Sequence, residues 1–364
     1  MALPVTETVA DCADLARTVL PYVSQLYDLP QQVLQSYNDP AELQKIYLST
    51  NPLVTAFAFS LFVSPIFLLI SEINRNYSQV DRLWSILPTI YNAHYVLYAH
   101  LTGLPTQRLD NLLAVSVVWS LRLTFNYWRR GGYSIGSEDY RWEILRKRLS
   151  PGLLFLFNVT FISFLQNVLL FLITTPAYVM VLASRINDTM AMSDILFARS
   201  LMVLILIEFF ADQQQWDFQT AKKAYQKTAK VPARLAQEDL DRGFVVTGLW
   251  SWCRHPNFAA EQAIWILIYQ WGCWTTETMY NWTLLGALSY IFLFQGSTWL
   301  TELTTAAKYP EYKEYQQRVA KFIPRLSTSL PGDFSDKKAP VKAEKTEKAE
   351  TKLSKETKGK RSRK

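Results

Sequence analysis

Residues 152–183 are thirty-two consecutive positions without a single Asp, Glu, Lys, Arg or His. A helix needs ~20 mostly apolar residues to cross the hydrocarbon core of a bilayer. The run exceeds one crossing, and it bounds the possible folds more tightly than any other feature of the chain. Residues 53–70 add eighteen further positions without charge. Weaker candidates follow at 83–102, which is aromatic-rich, at 112–128, which carries Arg122, and at 195–210, with Arg199 and Glu208 near its ends. Residues 258–274 and 282–300 complete the set. The expectation is an all-α polytopic membrane bundle of about seven transmembrane helices. Within the long run Pro176 marks a break, leaving one tilted span followed by an interfacial stretch.

Basic residues orient this bundle. The 129–150 loop holds six Lys or Arg and the 211–255 loop seven, whereas 176–194 has only Arg185 and 275–281 has none. Cytoplasmic loops carry the excess of Lys and Arg, so the N-terminus is expected outside and the C-terminus in the cytosol. Residues 1–50 lack the positive and uninterrupted apolar regions of a signal peptide. They read as an interfacial or amphipathic segment broken at Pro21, Pro30 and Pro40. The membrane domain then covers 51–325, and 326–364 is a basic cytosolic tail whose composition predicts disorder.

Charge and metal-binding residues exclude several classes of function. From Asp336 onward ten Lys and two Arg face one Asp and four Glu, which equals the whole formal charge of +7. The body is therefore neutral, and no basic face remains for nucleic acid. Charged residues are 19% of the chain against 49% hydrophobic, below the ~25% charged of soluble domains. Three Cys without a CxxC and three His provide neither a disulfide framework, a cysteine zinc site nor clusters of histidine boxes. The expected chemistry needs no protein-bound metal.

Ionisable residues at membrane depth are costly and mark candidate sites. Here they gather at the cytosolic ends of spans. Glu208, Asp212 and Gln215 share one helical face that runs out of the bilayer. Next comes Arg254-His255-Pro256-Asn257-Phe258, with Glu261 one turn further on. Pro256 suits a first helical turn, and the open N–H groups of a helix start beside Arg and His form a phosphate site. Asn257 and Glu261, at i and i+4, can hydrogen-bond a sugar or an amide. The third group is Glu302, Tyr309, Tyr312 and Tyr315 around Pro310. Together they outline a cytosol-facing pocket open to an apolar interior, where a polar nucleotide and a membrane lipid could meet. No GxGxxG or GxxxxGK[ST] provides a separate nucleotide domain.

The Arg254-His255-Pro256-Asn257-Phe258…Glu261 run, with Gly248-Leu249-Trp250 before it, resembles the signature of the steroid 5α-reductase C-terminal-domain family, and more closely its branch of uncharacterised multi-span proteins. Asp212-Gln213-Gln214, Asp81…Trp84, Trp119…Arg122 and Tyr309-Pro310…Phe322-Ile323-Pro324 are similar to the same branch, so the resemblance covers roughly residues 80–325. It implies a seven-helix bundle of the endoplasmic reticulum membrane that uses NADPH to reduce a C=C bond in a lipid or sterol-like substrate. Residue by residue it implies that Arg122, Asp212, Arg254, His255, Asn257 and Glu261 contact NADPH, with Tyr309 and Tyr312 supporting the nucleotide. Such a reaction needs an acid near the substrate, and Trp119 stands where a tyrosine would be expected. The catalytic candidates are Tyr91, Tyr95 and Asp81. Prenylcysteine carboxyl methyltransferases are more distantly similar through the R-H-P turn, Glu302 and Pro310-Glu311-Tyr312…Tyr315. They keep open an S-adenosylmethionine-dependent methyltransferase, and a non-catalytic membrane scaffold is the third possibility.

Overall fold

The computed structural model describes residues 2–324, and the basic tail lies outside the described residues. Side-chain caps start the N-terminal helices. Asp14 accepts from Ala16 N to open α1 (Leu15–Thr18), and Asp39 accepts from Ala41 and Glu42 N to open α3 (Pro40–Ser49), where Pro40 takes the first turn. Between them α2 (Gln25–Gln35) runs through Pro30 without ending and buries none of its residues. Pro30 is therefore no break. It forfeits one backbone hydrogen bond on a helix short enough to bear it.

The long elements follow in an antiparallel series. Asn51 and Pro52 open α4 (Pro52–Asn74), and Arg75 closes it in the left-handed region at φ 51°. Then come α5 (Gln79–Leu83), α6 (Leu87–Leu101), α7 (Gln107–Arg129) and α8 (Tyr140–Arg148). Ser150 caps α9 (Pro151–Phe157), which passes into a π-helical stretch, Asn158–Leu165, and then α10 (Gln166–Leu172). The chain turns at Ile173–Thr174, and α11 (Thr175–Ser184) starts with Pro176 in its first turn. The predicted break thus falls where Pro176 needs no N–H partner. The expected interfacial stretch is absent: all ten residues of α11 are buried. The set ends with α12 (Met192–Thr228), α13 (Gln237–Arg242), α14 (Pro256–Thr275), α15 (Leu284–Lys308) and α16 (Tyr312–Arg318). Among the described residues there is no strand, only an isolated parallel bridge between Cys253 and Ala320. Among the described residues two stretches, Pro52–Asn74 and Pro151–Ser184, are long and apolar enough to cross a membrane.

Polar contacts gather the connections at two ends. At one end Arg185 Nη1 donates to Pro4 O (2.6 Å), Tyr178 Oη to Thr18 O (2.7 Å), and Arg108 pairs with Asp194, which also accepts from Trp271 Nε1 (2.7 Å). The N-terminal segment is therefore partly inserted, with Cys12 and Thr18 fully buried. At the other end Asn76 Nδ2 reaches Ser137 O (2.9 Å), Trp142 Nε1 reaches Asp81 Oδ2 (2.8 Å), and Arg254 meets Glu302.

Gly286 sets the approach of α15 to the α10–α11 turn. A Cβ there would stand 2.5 Å from the Leu172 carbonyl carbon and 2.8 Å from Ile173 N, both rigid backbone atoms. Small residues permit such backbone contact between helices. Gly286→Ala is expected to cost about 1–3 kcal/mol through overpacking, read as a lower melting temperature in detergent. Gly152→Ala, with open space at its Cβ, is the control that should melt normally.

Candidate functional site

Arg122, on the inward face of α7, is 8% exposed and meets three carboxylates from two other helices. Its Nη1 lies 2.7 Å from Asp212 Oδ2, and its Nη2 lies 3.0 Å from Glu208 Oε2 and 3.3 Å from Glu261 Oε2. Glu208 and Asp212 stand one turn apart on α12, and Glu261 projects from the second turn of α14. Asp212 also accepts from Asn126 Nδ2 (2.6 Å) and from Asn257 Nδ2 (3.0 Å). A ring of aromatic donors encloses Glu261: Trp119 Nε1 at 2.9 Å, Trp265 Nε1 at 2.9 Å and Tyr290 Oη at 2.7 Å. Trp84 Nε1 in turn reaches Tyr290 Oη at 3.4 Å, and the two rings stack.

The charges inside this network do not balance. Three buried carboxylates face one buried guanidinium, and the next cation, Arg130, lies at the rim 4.0 Å from Asp212 Oδ1 with its side chain 55% exposed. Two polar atoms in and beside the network also lack a hydrogen-bond partner, the Arg122 Nε donor and the Gln215 Oε1 acceptor. Buried polar atoms are normally paired, so this cluster retains capacity for one further acceptor at Arg122 Nε and one further donor at Gln215 Oε1. Among the described residues no group of His, Cys, Asp or Glu is placed to hold a metal ion.

A second network closes the start of α14. Arg254 Nε and Nη2 pair with Glu302 Oε1 (2.7 Å) and Oε2 (3.2 Å), while Nη1 donates to the carbonyls of Gln316 and Val319. Glu302 accepts as well from His255 Nε2 (2.9 Å) and Gln316 Nε2 (3.0 Å), with Tyr312 Oη at 3.5 Å. Burial alone would raise the Glu302 carboxyl, but donation from His255 and Arg254 outweighs it and brings the group down to about 2. Burial pushes His255 below its ordinary value, and its contact with Glu302 only partly offsets this. Every donor expected to bind phosphate at Arg254 is thus taken up by Glu302 and the C-terminal backbone. The sequence pattern shows donors but not the carboxylate, forty-eight residues on, that occupies them.

Arg122, Asp212, Asn257 and Glu261 therefore form one network, and Arg254, His255 and Tyr312 form its neighbour, joined through the first turn of α14. Tyr309 stands further out, where Lys222 Nζ donates to its Oη (3.2 Å) and to Gly243 O (2.8 Å). Burial raises the Tyr309 phenol, yet hydrogen bonds from Lys222 and Lys308 outweigh that and leave it below its ordinary value. Gly243 has φ +86°, and a Cβ there would strike the Tyr309 ring. Tyr91 and Tyr95 do not join either network: their rings face Phe59, Phe171 and Tyr178 on α4, α10 and α11. Asp81 belongs to a loop contact with Trp142.

The family model described as a protein of unknown function, DUF1295, matches residues 67–319, which include every residue of both networks. An uncharacterized protein of the fission yeast Schizosaccharomyces pombe is 37% identical over 329 residues, covering 90% of this chain and 94% of that one. The chain belongs to the DUF1295 family. This is the steroid 5α-reductase C-terminal-like family, so the resemblance carried by the R-H-P-N-F turn holds at that level. No solved structure matches the chain. In this DUF1295 protein the sequence motifs missed Trp265, Tyr290 and Asn126 as site residues. Trp265 lies one turn after Glu261, a usable signal, whereas Tyr290 comes from α15 and carries no local mark.

Proposed function

We propose that the protein is a membrane-embedded, NADPH-dependent reductase of a carbon–carbon double bond in a lipid. The observation that carries this reading is the convergence of Arg122, Asp212, Asn257 and Glu261 inside an apolar bundle, with buried polar atoms left over. Membrane embedding is supported by an inside-out distribution of polarity. Phe62, Leu69, Leu121, Phe210 and Phe292 are at least 55% exposed, whereas Arg108, Arg122, Asp194, Glu208 and Glu261 are buried. Water would penalise that arrangement and lipid favours it. Seven spans follow, with the two basic loops and α16 at the cytosolic end and the N-terminus outside. An endoplasmic reticulum address follows from the family resemblance.

The leftover atoms fit the uncharged parts of a nicotinamide nucleotide. Carboxylates and Asn257 suit ribose hydroxyls and a carboxamide, and Arg129 and Arg130 at the rim suit phosphates. When bound, NADPH supplies the reducing equivalent. The chain's own part is to hold and move a proton and to exclude water. Tyr290 is the acid in place of the expected residue near Trp119. Its Oη lies between the Trp84 N–H and Glu261 Oε1, where it can pass a proton as negative charge develops on the substrate, and the carboxyl pair of Glu208 and Glu261 replenishes it. Trp119 and Trp265 keep the site dry.

One observation favours a second reading, the S-adenosylmethionine-dependent methyltransferase. The surplus buried negative charge and the aromatic walls suit a sulfonium cation. Titrating the purified protein in detergent with NADPH, NADH and S-adenosylmethionine separates the two. The expected result is NADPH binding that weakens about tenfold in Arg130→Ala, ~1.4 kcal/mol, with NADH less affected. Tight S-adenosylmethionine binding would instead establish the methyltransferase, and binding of none of the three would leave the scaffold.

A further inference from the structure

A second polar seam, apart from the Arg122 network, runs between α4, α6 and α10. Ser60, Ser64 and Ser71 line one face of α4, each fully buried or 1% exposed. Asn158 Nδ2 donates to Ser71 Oγ (2.8 Å), and Asn167 Nδ2 to Ser60 O (2.8 Å) and Ser64 Oγ (3.0 Å). The two asparagines bracket the π-helical stretch, where Gln166 N reaches back five residues to Phe161 O. Such segments recur at functional sites because the wider turn re-aims side chains.

Asn167 Oδ1 and Tyr95 Oη have no protein partner, and Tyr91 Oη has only the Ser60 hydroxyl near it, without a well-formed hydrogen bond. Tyr91 and Tyr95 are 1% and 0% exposed and one turn apart on α6. The Tyr91 ring lies between Phe59, next to Ser60, and Phe171, one turn from Asn167. Two phenol donors and one amide acceptor thus lie together in the buried interior of the bundle. Phe59 is 38% exposed on the apolar outer surface and packs edge-on against Tyr91, so the way in is lateral, from the lipid.

The geometry points to a binding site for the hydroxyl end of a membrane alcohol, admitted past Phe59. A hydroxyl accepts from the phenols and donates to Asn167 Oδ1, the complement of what is open. This deepens the reductase reading and rests on it for the substrate role. Thr89 bonds Ser116 and Ser85 bonds Thr124 across α6 and α7, which places Tyr91 roughly 6–12 Å along the bundle from Arg122 at 1.5 Å per residue. The substrate class is then a lipid alcohol whose double bond lies about that far from its hydroxyl.

Binding without nucleotide tests the site independently of the reductase. Purified protein in detergent is titrated with cholesterol and farnesol, each against its hydrocarbon analogue lacking the hydroxyl, and read by native mass spectrometry. At least one alcohol should bind about tenfold tighter than its hydrocarbon. Tyr91→Phe and Tyr95→Phe should each remove most of that preference, and Tyr95→Phe should melt no lower than wild type, because its hydroxyl has no protein partner to lose. Asp212→Asn should keep it. Equal binding of alcohol and hydrocarbon, or an unchanged preference in both tyrosine variants, would mean that the seam holds only water and would overturn the proposal. A failed NADPH titration with a retained alcohol preference would sink the reductase and leave the site.

Discussion

Arg122→Ala is expected to be the most damaging single substitution in this protein. It removes the one buried cation of this network and leaves Glu208, Asp212 and Glu261 facing each other at 2%, 4% and 4% exposure. Breaking a buried ion pair by deleting one partner costs about 3–5 kcal/mol, because the remaining charge stays buried without compensation. Here three remain. The variant should lose most of its folded yield in detergent, and Arg122→Lys should recover only part, since an ammonium cannot fork between three carboxylates. A compensating change distinguishes this cause from simple loss of packing. Adding Asp212→Asn to Arg122→Ala removes one uncompensated charge and should raise the melting temperature above that of the single variant. A double variant no more stable than Arg122→Ala would show that charge balance is not what Arg122 provides.

Glu302→Ala has the second largest expected effect, for the mirror-image reason. Glu302 is the shared acceptor for Arg254, His255 and Gln316, so its loss strands a buried guanidinium, again at about 3–5 kcal/mol. It also frees α16 and the backbone at Val319–Lys321, which pairs with Arg254 and His255. Limited proteolysis should then cleave near α16 while the rest of the bundle stays resistant. The wild-type pH profile carries the same signature. The Glu302 carboxyl is held at about 2 against an ordinary 4.5, so its stabilisation is complete above 4.5 and drains away as pH falls toward 2. His255, also depressed, adds a loss that begins below its ordinary 6.5. Melting temperature should fall with acidification, and Glu302→Gln should flatten the part below 4.5.

Both predictions concern residues whose presence was visible in the sequence and whose partners were not. Helical spacing put Glu208 with Asp212, and Asn257 with Glu261, because neighbours one turn apart share a face whatever the tertiary fold. The R-H-P-N-F turn likewise fixed a helix start at Pro256. Spacing says nothing about which face meets which. Arg254 and His255 look like an open phosphate site until α15 brings Glu302 against them, and nothing in the spacing of Tyr91 and Tyr95 shows that the first faces Phe171 and the second Tyr178.

What the chain alone determined is its class and its punctuation. Long uncharged runs of this length satisfy their backbone groups internally as helices, and Pro, Asp and Asn at fixed positions start those helices. What only the tertiary structure decided is the pairing of buried charges. A carboxylate in an apolar interior is tolerable only where a donor from another helix meets it, and that meeting depends on contacts such as Trp119 with Glu261 across 142 positions of sequence.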